Sequence, residues 1–557
     1  MHTNGFILKR VVHLTPKLVL SLLVCAPLML GSCGGSSASS ASAIETTNTA
    51  SNLDVTDGGA VAVTHVDSPL PDAWWMGAFM QIYVRAYQDS DGDGQGDLKG
   101  LIQRLDYLQD LGVKGLWLLP VTQSSDRDHG YAVKNYRAIE SDYGSQADFD
   151  ALIAESHKRG MGVIVDFVIN HSSSQHPLFL NSSSSATHTQ RNYFVWQNPK
   201  PTGWQIYGQD PWYASPWGNG FYFAGFSSTM PDFNWRASEV EQFHHDNLRY
   251  WLNKGVDGFR FDAVGNLIEN GATAWEVQAE NHTVMNKVQQ TVMQYKARYM
   301  VCEAPANSNA FAQSNSCGGA FAFDLSAAIV GAAKGDVSAI QKLSDYYKSR
   351  SRNLAPFVSN HDRFAGDRLW NQLQGNVAQY KLAAASYLLL PGTPFIYYGE
   401  EIGMSASDVL SGDVAIRSPM SWTANGKGFS SGIPFRALAS NISTQNVAQQ
   451  LTDSDSIHQH YKKLLGLRNS QMALRSGSYE GAWADQKTMG FQRVAGNEKV
   501  MVLLNYNTAS ANLSISNLVP GDLWSPLMGT SLPSTVNTSG VMSVSVPAQS
   551  LVVLKKN

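Results

Sequence analysis

The 557-residue chain is 43% hydrophobic and only 15% charged, with a formal net charge of -4. That balance predicts a large core beneath a polar, weakly charged surface, and it argues against nucleic acid as a partner, which would demand a basic stripe. Four cysteines in a chain this long exclude a disulfide-built scaffold.

Residues 1–32 read as an export signal. Lys9, Arg10 and Lys17 are basic, and the apolar run Leu18 to Leu30, interrupted by Pro27, is too short to span a bilayer comfortably. It ends in Leu30-Gly31-Ser32-Cys33, which resembles a bacterial lipobox, where the cysteine becomes the lipidated first residue. Acylation of Cys33 would hold the protein to a membrane without a transmembrane helix and place it in the cell envelope. Plain secretion, with cleavage among the small residues Ala38 to Ala43, is the alternative. Residues 33–72 are rich in Ser, Ala, Thr and Gly without periodicity and are expected to form a flexible tether.

From Trp74 onward short apolar strands alternate with amphipathic helices. Strands are predicted at Ala78–Val84, Gly115–Leu119, Val163–Asp166, Gly258–Asp262, Tyr299–Glu303, Ala320–Phe323, Pro356–Ser359 and Pro394–Tyr397. Helices are predicted between them, among them Leu98–Leu111, Gln146–Arg159 and Val240–Asn253. Such alternation is the pattern of a (β/α)8 barrel, assigned to 73–170 and 236–474. The regular spacing fails once, at 171–235, an aromatic, Gly- and Pro-rich stretch long enough to form a small domain over the barrel mouth. Ser456–Asn469 is expected to be the last barrel helix. Beyond it, 475–557 carries β-type segments (Val500–Tyr506, Ala511–Ser514, Val541–Val546, Ser550–Leu554) and reads as an antiparallel β domain. Cys302 and Cys317 are the only cysteines after the leader region, and their pairing is left open.

The chemistry gathers at strand ends. In Gly258-Phe259-Arg260-Phe261-Asp262, Arg260 and Asp262 are two apart and share one side of a strand, so the arginine is expected to hold the carboxylate ionised. By itself this pair would be a structural ion pair closing a strand. Three further motifs fall at the same end of the same barrel: Asp166-Phe167-Val168-Ile169-Asn170-His171, Val301-Cys302-Glu303 and Asn360-His361-Asp362. Carboxylates at the carboxyl ends of several barrel strands read as catalytic.

These four stretches resemble the four signature regions of the α-amylase superfamily, glycoside hydrolase family 13. Asp128-His129-Gly130-Tyr131, Met230-Pro231-Asp232-Phe233-Asn234 and Gly392-Thr393-Pro394 with Tyr398-Gly399-Glu400-Glu401 are similar to its helper motifs. The resemblance implies a catalytic barrel, an inserted domain and a C-terminal β-sandwich. It implies Asp262 as nucleophile, Glu303 as general acid and then base, and Asp362 as stabiliser of the distorted sugar, with Asp128, Tyr131, His171, Arg260 and His361 binding substrate. A retaining mechanism asks for one ionised and one protonated carboxyl group about 5–5.5 Å apart, so Glu303 needs a raised pKa. Ala263 beside the nucleophile resembles α-1,4-acting members. The Met-Pro-Asp region resembles a group intermediate between the oligo-1,6-glucosidase and neopullulanase types, which includes lipoproteins. Val264-Gly265-Asn266 departs from the Lys-His that follows the nucleophile in many α-amylases. The expectation is an α-amylase cleaving α-1,4 bonds of starch and malto-oligosaccharides with retention. The alternatives are an α-glucosidase or cyclomaltodextrinase-like enzyme with transglycosylation, and a non-catalytic binding relative.

In Asp89-Ser90-Asp91-Gly92-Asp93-Gly94-Gln95-Gly96-Asp97, alternate oxygen-bearing side chains and interleaved glycines suit a hard cation. Gly100 stands where an EF-hand needs glutamate, but the stretch resembles the family's calcium loop after the first strand. One structural Ca2+ is expected there, held by Asp89, Asp91, Asp93, Gln95 and Asp97.

Overall fold

The computed structural model describes residues 52–529 and 532–557. The export signal, Cys33 and the tether as far as residue 51 lie outside the described residues. Among the described residues no helix is long and apolar enough to cross a membrane.

Eight parallel strands form the barrel: β1 (Phe79–Ile82), β2 (Gly115–Leu118), β3 (Gly162–Phe167), β4 (Gly258–Phe261), β5 (Tyr299–Cys302), β6 (Ala320–Phe321), β7 (Leu354–Ala355) and β8 (Phe395–Tyr397). Each neighbours the next, β8 pairs with β1, and the remaining seam between β7 and β8 is closed by Phe395 N–H donating to Pro356 O at 3.0 Å. β7 was expected at Pro356–Ser359 but its ladder starts two residues earlier and stops at Ala355, because Pro356 has no N–H to contribute. Apart from Tyr299 at the start of β5 the strands are buried, since the barrel interior covers one face and helices the other. Phe79, Trp117, Phe321 and Phe395 fill that interior with ring centroids 4.8–5.9 Å apart. Gly258 opens β4 at φ +149°, and a Cβ there would come within 1.6 Å of Tyr299 O, so only glycine lets β4 lie this close to β5.

Local chemistry starts the helices. Ser145 and Asp148 form a reciprocal capping box ahead of Gln146–Lys158. The single helix expected over Leu98–Leu111 is two, Leu98–Gln103 and Leu105–Leu111. Arg104 between them leaves helical geometry and donates to Gln88 Oε1 and Gly428 O, over the ring of Trp422.

After β3 the chain leaves the barrel for a helix, Pro177–Ser184, and a three-stranded antiparallel sheet of Trp196–Gln197, Phe221–Phe223 and Trp212–Ala214. This excursion is stitched back to the end of β3 by Phe233 N–H on Asn170 O and Ser172 N–H on Pro231 O. A disulfide joins Cys302, the last residue of β5, to Cys317 ahead of β6, resolving the pairing that sequence left open.

The C-terminal domain contains β9 (Ser478–Asp485), β10 (Thr488–Ala495), β11 (Glu498–Asn505), β12 (Ala511–Ile515), β13 (Leu523–Met528), β14 (Ser534–Thr535), β15 (Met542–Val546) and β16 (Ser550–Lys556). One sheet runs β9-β10-β11-β16-β13-β14, and β12 pairs separately with β15. The β9–β10 hairpin was not among the expected strands. It packs on a barrel helix, with Tyr479 O–H donating to Ser344 O, and its mixed polar sequence reflects that shared surface.

The tether expectation needs correction over residues 52–72. Asp57 is buried, accepting from Tyr136 N–H at 2.7 Å and pairing with His176 at 3.1 Å. Leu53, Val61 and Thr64 N–H groups donate to the side chains of Asn181, Asp246 and Asn253. Backbone groups here are satisfied by scattered side-chain acceptors, not by a regular ladder, so the segment is held in place yet shows no periodicity.

Candidate active site

Arg260 stands at the centre of the residues that sequence placed together. It is 1% exposed on β4, level with Asp166 on β3 and Val301 on β5. Its Nη1 donates to Asp166 Oδ1 and Asp262 Oδ1, both at 2.8 Å, and to Tyr131 Oη at 3.1 Å. Its Nη2 donates to Glu303 Oε2 at 2.6 Å. Arg260 thus holds Asp262, as expected of it, and does more: one guanidinium is shared by three carboxylates.

That sharing sets the protonation. Burial raises the Glu303 pKa, Arg260 opposes, and the nearby Asp262 charge adds to the rise, leaving it at about 7. Asp262 is also pushed up by burial, with Arg260 pulling against it. Asp362 rises to about 6 through burial and the neighbouring Glu303, opposed by Arg417. Of the two reacting carboxyl groups Glu303 holds its proton to the higher pH, which is the division a retaining glycosidase needs.

Polar side chains around this cluster are fixed by one another. Tyr131 O–H donates to Asp166 Oδ2 at 2.7 Å, and its ring stacks on His361 with an interplanar angle of 3°. Gln81 Nε2 donates to His361 Nδ1 at 2.8 Å, which puts the imidazole proton on Nε2, facing Tyr131 Oη and Asp362 Oδ2. Burial and then Arg417 push His361 well below the usual histidine range, so the ring is neutral. Burial likewise takes His171 down to about 4. Its Nε2 is buried and has no hydrogen-bond partner among the described residues, the condition of a group that waits for a ligand hydroxyl. Asn170 Nδ2 donates to Asp232 Oδ2 at 2.9 Å and so ties the end of β3 to the inserted domain.

On one side the site is bounded by a chain of charges. Arg417 Nη1 reaches Asp128 Oδ2 at 3.1 Å, its Nη2 reaches Asp362 Oδ1 at 2.9 Å, and its Nε donates to His361 O at 2.8 Å. Arg436 binds the other oxygen of Asp128. Burial would raise the Asp128 pKa, but Arg436 and then Arg417 hold it below the usual carboxylate range. Arg368 supports this wall by donating to Ile416 O and Tyr398 O. Near His171 stands an aromatic surface: His171 lies 5.4 Å from Phe226, and exposed Tyr207 stacks on Phe226 and meets Trp275 edge-on.

All eight residues proposed for catalysis and substrate binding thus fall around one centre or its wall, with His171 near the inserted domain. Sequence reading gave no role to Gln81, Trp117, Asp166, Arg417 or Arg436. Gln81 and Asp166 had a signal, a polar residue inside an apolar strand. Arg417 and Arg436 lie in irregular segments and had none.

In the Asp89–Asp97 loop, carboxylate oxygens of Asp89, Asp91 and Asp97 lie within 4.8 Å of one another. Among the described residues none of the three is ion-paired to Lys or Arg. An all-oxygen set with uncompensated charge fits a hard divalent cation. Asp89 and Asp97 are positioned by backbone amides of Gly92, Gly94, Ser90 and Gly100. Asp93 is outside this group; its carboxylate accepts from the backbone and side-chain N–H groups of Gln95, so these two predicted ligands satisfy each other.

Comparison with known proteins agrees with this architecture. Residues 81–477 match the family model for the α-amylase catalytic domain. The chain is 34% identical over 464 residues to α-amylase 3 of Dictyoglomus thermophilum, covering 80% of this chain and 88% of that protein. It is 30% identical over 513 residues to an oligo-1,6-glucosidase of Halalkalibacterium halodurans, covering 78% and 90%. The crystal structure of an α-amylase from H. orenii superposes with a TM-score of 0.74 at 30% identity, over 86% of this chain and 99% of that one.

Proposed function

Since the chain belongs to the α-amylase family and is a retaining glycoside hydrolase, we propose that it removes glucose units from the non-reducing ends of α-1,4-linked malto-oligosaccharides. The observation that carries this reading is the bridge Asp128–Arg417–Asp362. Asp128 resembles the family residue that meets the non-reducing side of the cleaved sugar. In this reading Arg417 and Arg436, paired to Asp128, close that end of the site, which then admits a chain terminus and not the middle of a polymer.

In this reading the Asp262 carboxylate attacks the anomeric carbon while Glu303 gives its proton to the departing glycosidic oxygen, forming a β-glycosyl ester. Glu303, now a carboxylate, takes a proton from the incoming water, whose oxygen bonds the anomeric carbon as the ester to Asp262 breaks. The product keeps the α configuration. His171, His361, Tyr131 and Asp362 hold the sugar hydroxyls, and the Tyr207–Phe226 surface receives the remainder of the chain. We further assign Ca2+ to Asp89, Asp91 and Asp97 as a structural ion, and a lipid anchor to Cys33 that holds the enzyme in the envelope.

Internal cleavage of starch is the second reading, favoured by Ala263 beside the nucleophile and by the likeness to two proteins named α-amylase. A maltoheptaoside whose non-reducing end is chemically blocked separates the two. The proposal expects glucose from the free oligosaccharide and no cleavage of the blocked one; comparable cleavage of both would establish endo action.

A further inference from the structure

At the opposite end of the barrel from Asp262, where the strands begin, a cavity of about 480 Å³ lies between the barrel floor and the start of the C-terminal domain. That volume is within the range of small-molecule sites. Four arginines line it, Arg298, Arg352, Arg475 and Arg493, together with the aromatic pair Trp75 and Tyr299, and among the described residues no Asp or Glu does.

The positive charge is poorly compensated. Arg493 is 1% exposed and donates to three carbonyls, those of Ser478, Leu389 and Gly477, but has no carboxylate partner among the described residues. Arg298 is buried, faces Asp257 at 3.7 Å, and its Nε has no hydrogen-bond partner among the described residues. Arg352 and Arg475 are exposed at the rim, with no ion pair among the described residues. Just beneath, buried Arg468 donates to Leu388, Leu390 and Gly392 carbonyls. Burial lowers the Arg493 pKa to about 10, with Tyr347 opposing and Arg352 adding to the fall. Arg468 falls to about 9 through burial and then Arg493. Cations gathered in a recess with only one carboxylate, Asp257, against them are costly unless an anion joins them. Guanidinium forks match tetrahedral oxyanions bidentately.

We propose that this floor cavity binds a small tetrahedral oxyanion of the phosphate class, at a site separate from the glycosidic centre. The inference stands on the arginines alone and is independent of the hydrolytic reading.

The test is calorimetric titration of the whole protein with inorganic phosphate in calcium-free buffer and with sulfate in the presence of calcium, alongside Trp fluorescence. One-to-one saturable binding with Kd below about 1 mM is expected. In the double variant Arg352→Ala/Arg475→Ala, both changes being at exposed positions, Kd should rise about tenfold or more. Glycosidase activity and the circular dichroism spectrum should stay unchanged. Absence of saturable heat for either anion, undiminished binding in the variant, or an equal response to chloride at matched ionic strength would each overturn the proposal.

Discussion

Arg417 and Asp128 are 289 residues apart and meet at 3.1 Å across the edge of the active site. Arg417 comes from a loop after β8, Asp128 from the segment after β2, and the same guanidinium also holds Asp362. Arg417→Ala would leave Asp128 and Asp362 without this partner and open the closed end of the pocket. Asp362, the group assigned to steady the distorted sugar, would lose its orientation, so kcat/KM on maltose or maltotriose should fall by about a hundredfold. Cleavage of the end-blocked maltoheptaoside, measured against the unblocked one, should rise relative to wild type. Arg417→Lys, with a single point charge, should not restore the bridge. If both variants keep wild-type kcat/KM, the bridge does not shape the pocket.

Glu303 gives the second prediction. Its proton is needed for departure of the leaving group and is held to about 7 by burial. Activity should therefore fall as pH rises through about 7. It should also fall on the acid side as Asp262, itself raised by burial, takes up a proton. The two limbs belong to the pair jointly. A profile of kcat/KM against pH for maltotriose and for a p-nitrophenyl glucoside checks this. In Glu303→Gln the alkaline limb should vanish and maltotriose hydrolysis should fall by about 10²–10⁴. Formation of the glycosyl-enzyme from the activated glucoside, whose leaving group needs no proton, should suffer far less. An unchanged alkaline limb in the variant would remove Glu303 from the acid role.

Buried Glu401 makes a prediction about stability. It is 0% exposed, accepts from Tyr107 O–H at 2.9 Å, and burial raises its pKa to about 7, with the Tyr107 bond opposing. In the unfolded chain a glutamate titrates near about 4.3. Between those values the folded state binds more protons than the unfolded state, so stability falls as pH rises from about 4.3 to about 7 and then levels. Glu401→Gln retains an acceptor for Tyr107 without the ionisation. Its melting temperature should vary less between pH 5 and 8 and exceed wild type at pH 8 by about 1–3 °C. A wild-type slope retained in the variant would mean that other groups carry it.

The Asp89–Asp97 loop can be tested without disturbing the helix start that Asp97 caps. Calcium at a hundredfold excess over its Kd should stabilise the protein by about 2.7 kcal/mol, read as a raised melting temperature reversed by a chelator. Asp91→Ala should abolish that response while leaving the chelated protein's melting temperature close to wild type. Asp93→Ala should keep most of the response, because Asp93 is outside the oxygen cluster. Equal melting with and without calcium in wild type would end the assignment.

Much of the catalytic centre was legible because the strands that carry it are short and apolar. Arg260, Asp262 and Glu303 interrupt such runs at their ends, and period-two alternation gives the side on which Arg260 and Asp262 meet. The reach of the same arginine to Glu303 was not legible, because it depends on the register of β4 against β5 and not on spacing along either strand. Arg417 and Arg436 were invisible for a related reason: irregular segments bring them in, and an arginine in a loop looks like any solvated charge. The break at Arg104 and the packing of residues 52–72 likewise depend on distant acceptors such as Gly428 O and Asn181. The β9–β10 hairpin escaped because its two sides meet unlike surroundings.

Residues 52–72 determine where mechanical load would arrive if the chain is pulled by its N-terminus. Leu53 exchanges two hydrogen bonds with Asn181, and Asp57 is locked to His176 and Tyr136. Asn181 belongs to the helix of the inserted domain and His176 caps it, so tension would be delivered first to the inserted domain, before any barrel strand. A shortened protein beginning at residue 73 would lose that brace and leave Tyr136 N–H and Asn181 Oδ1 without the partners they have here, though Asn181 Nδ2 would keep Gln190. If Cys33 carries the proposed lipid anchor, the point of attachment and the inserted domain form one mechanical system.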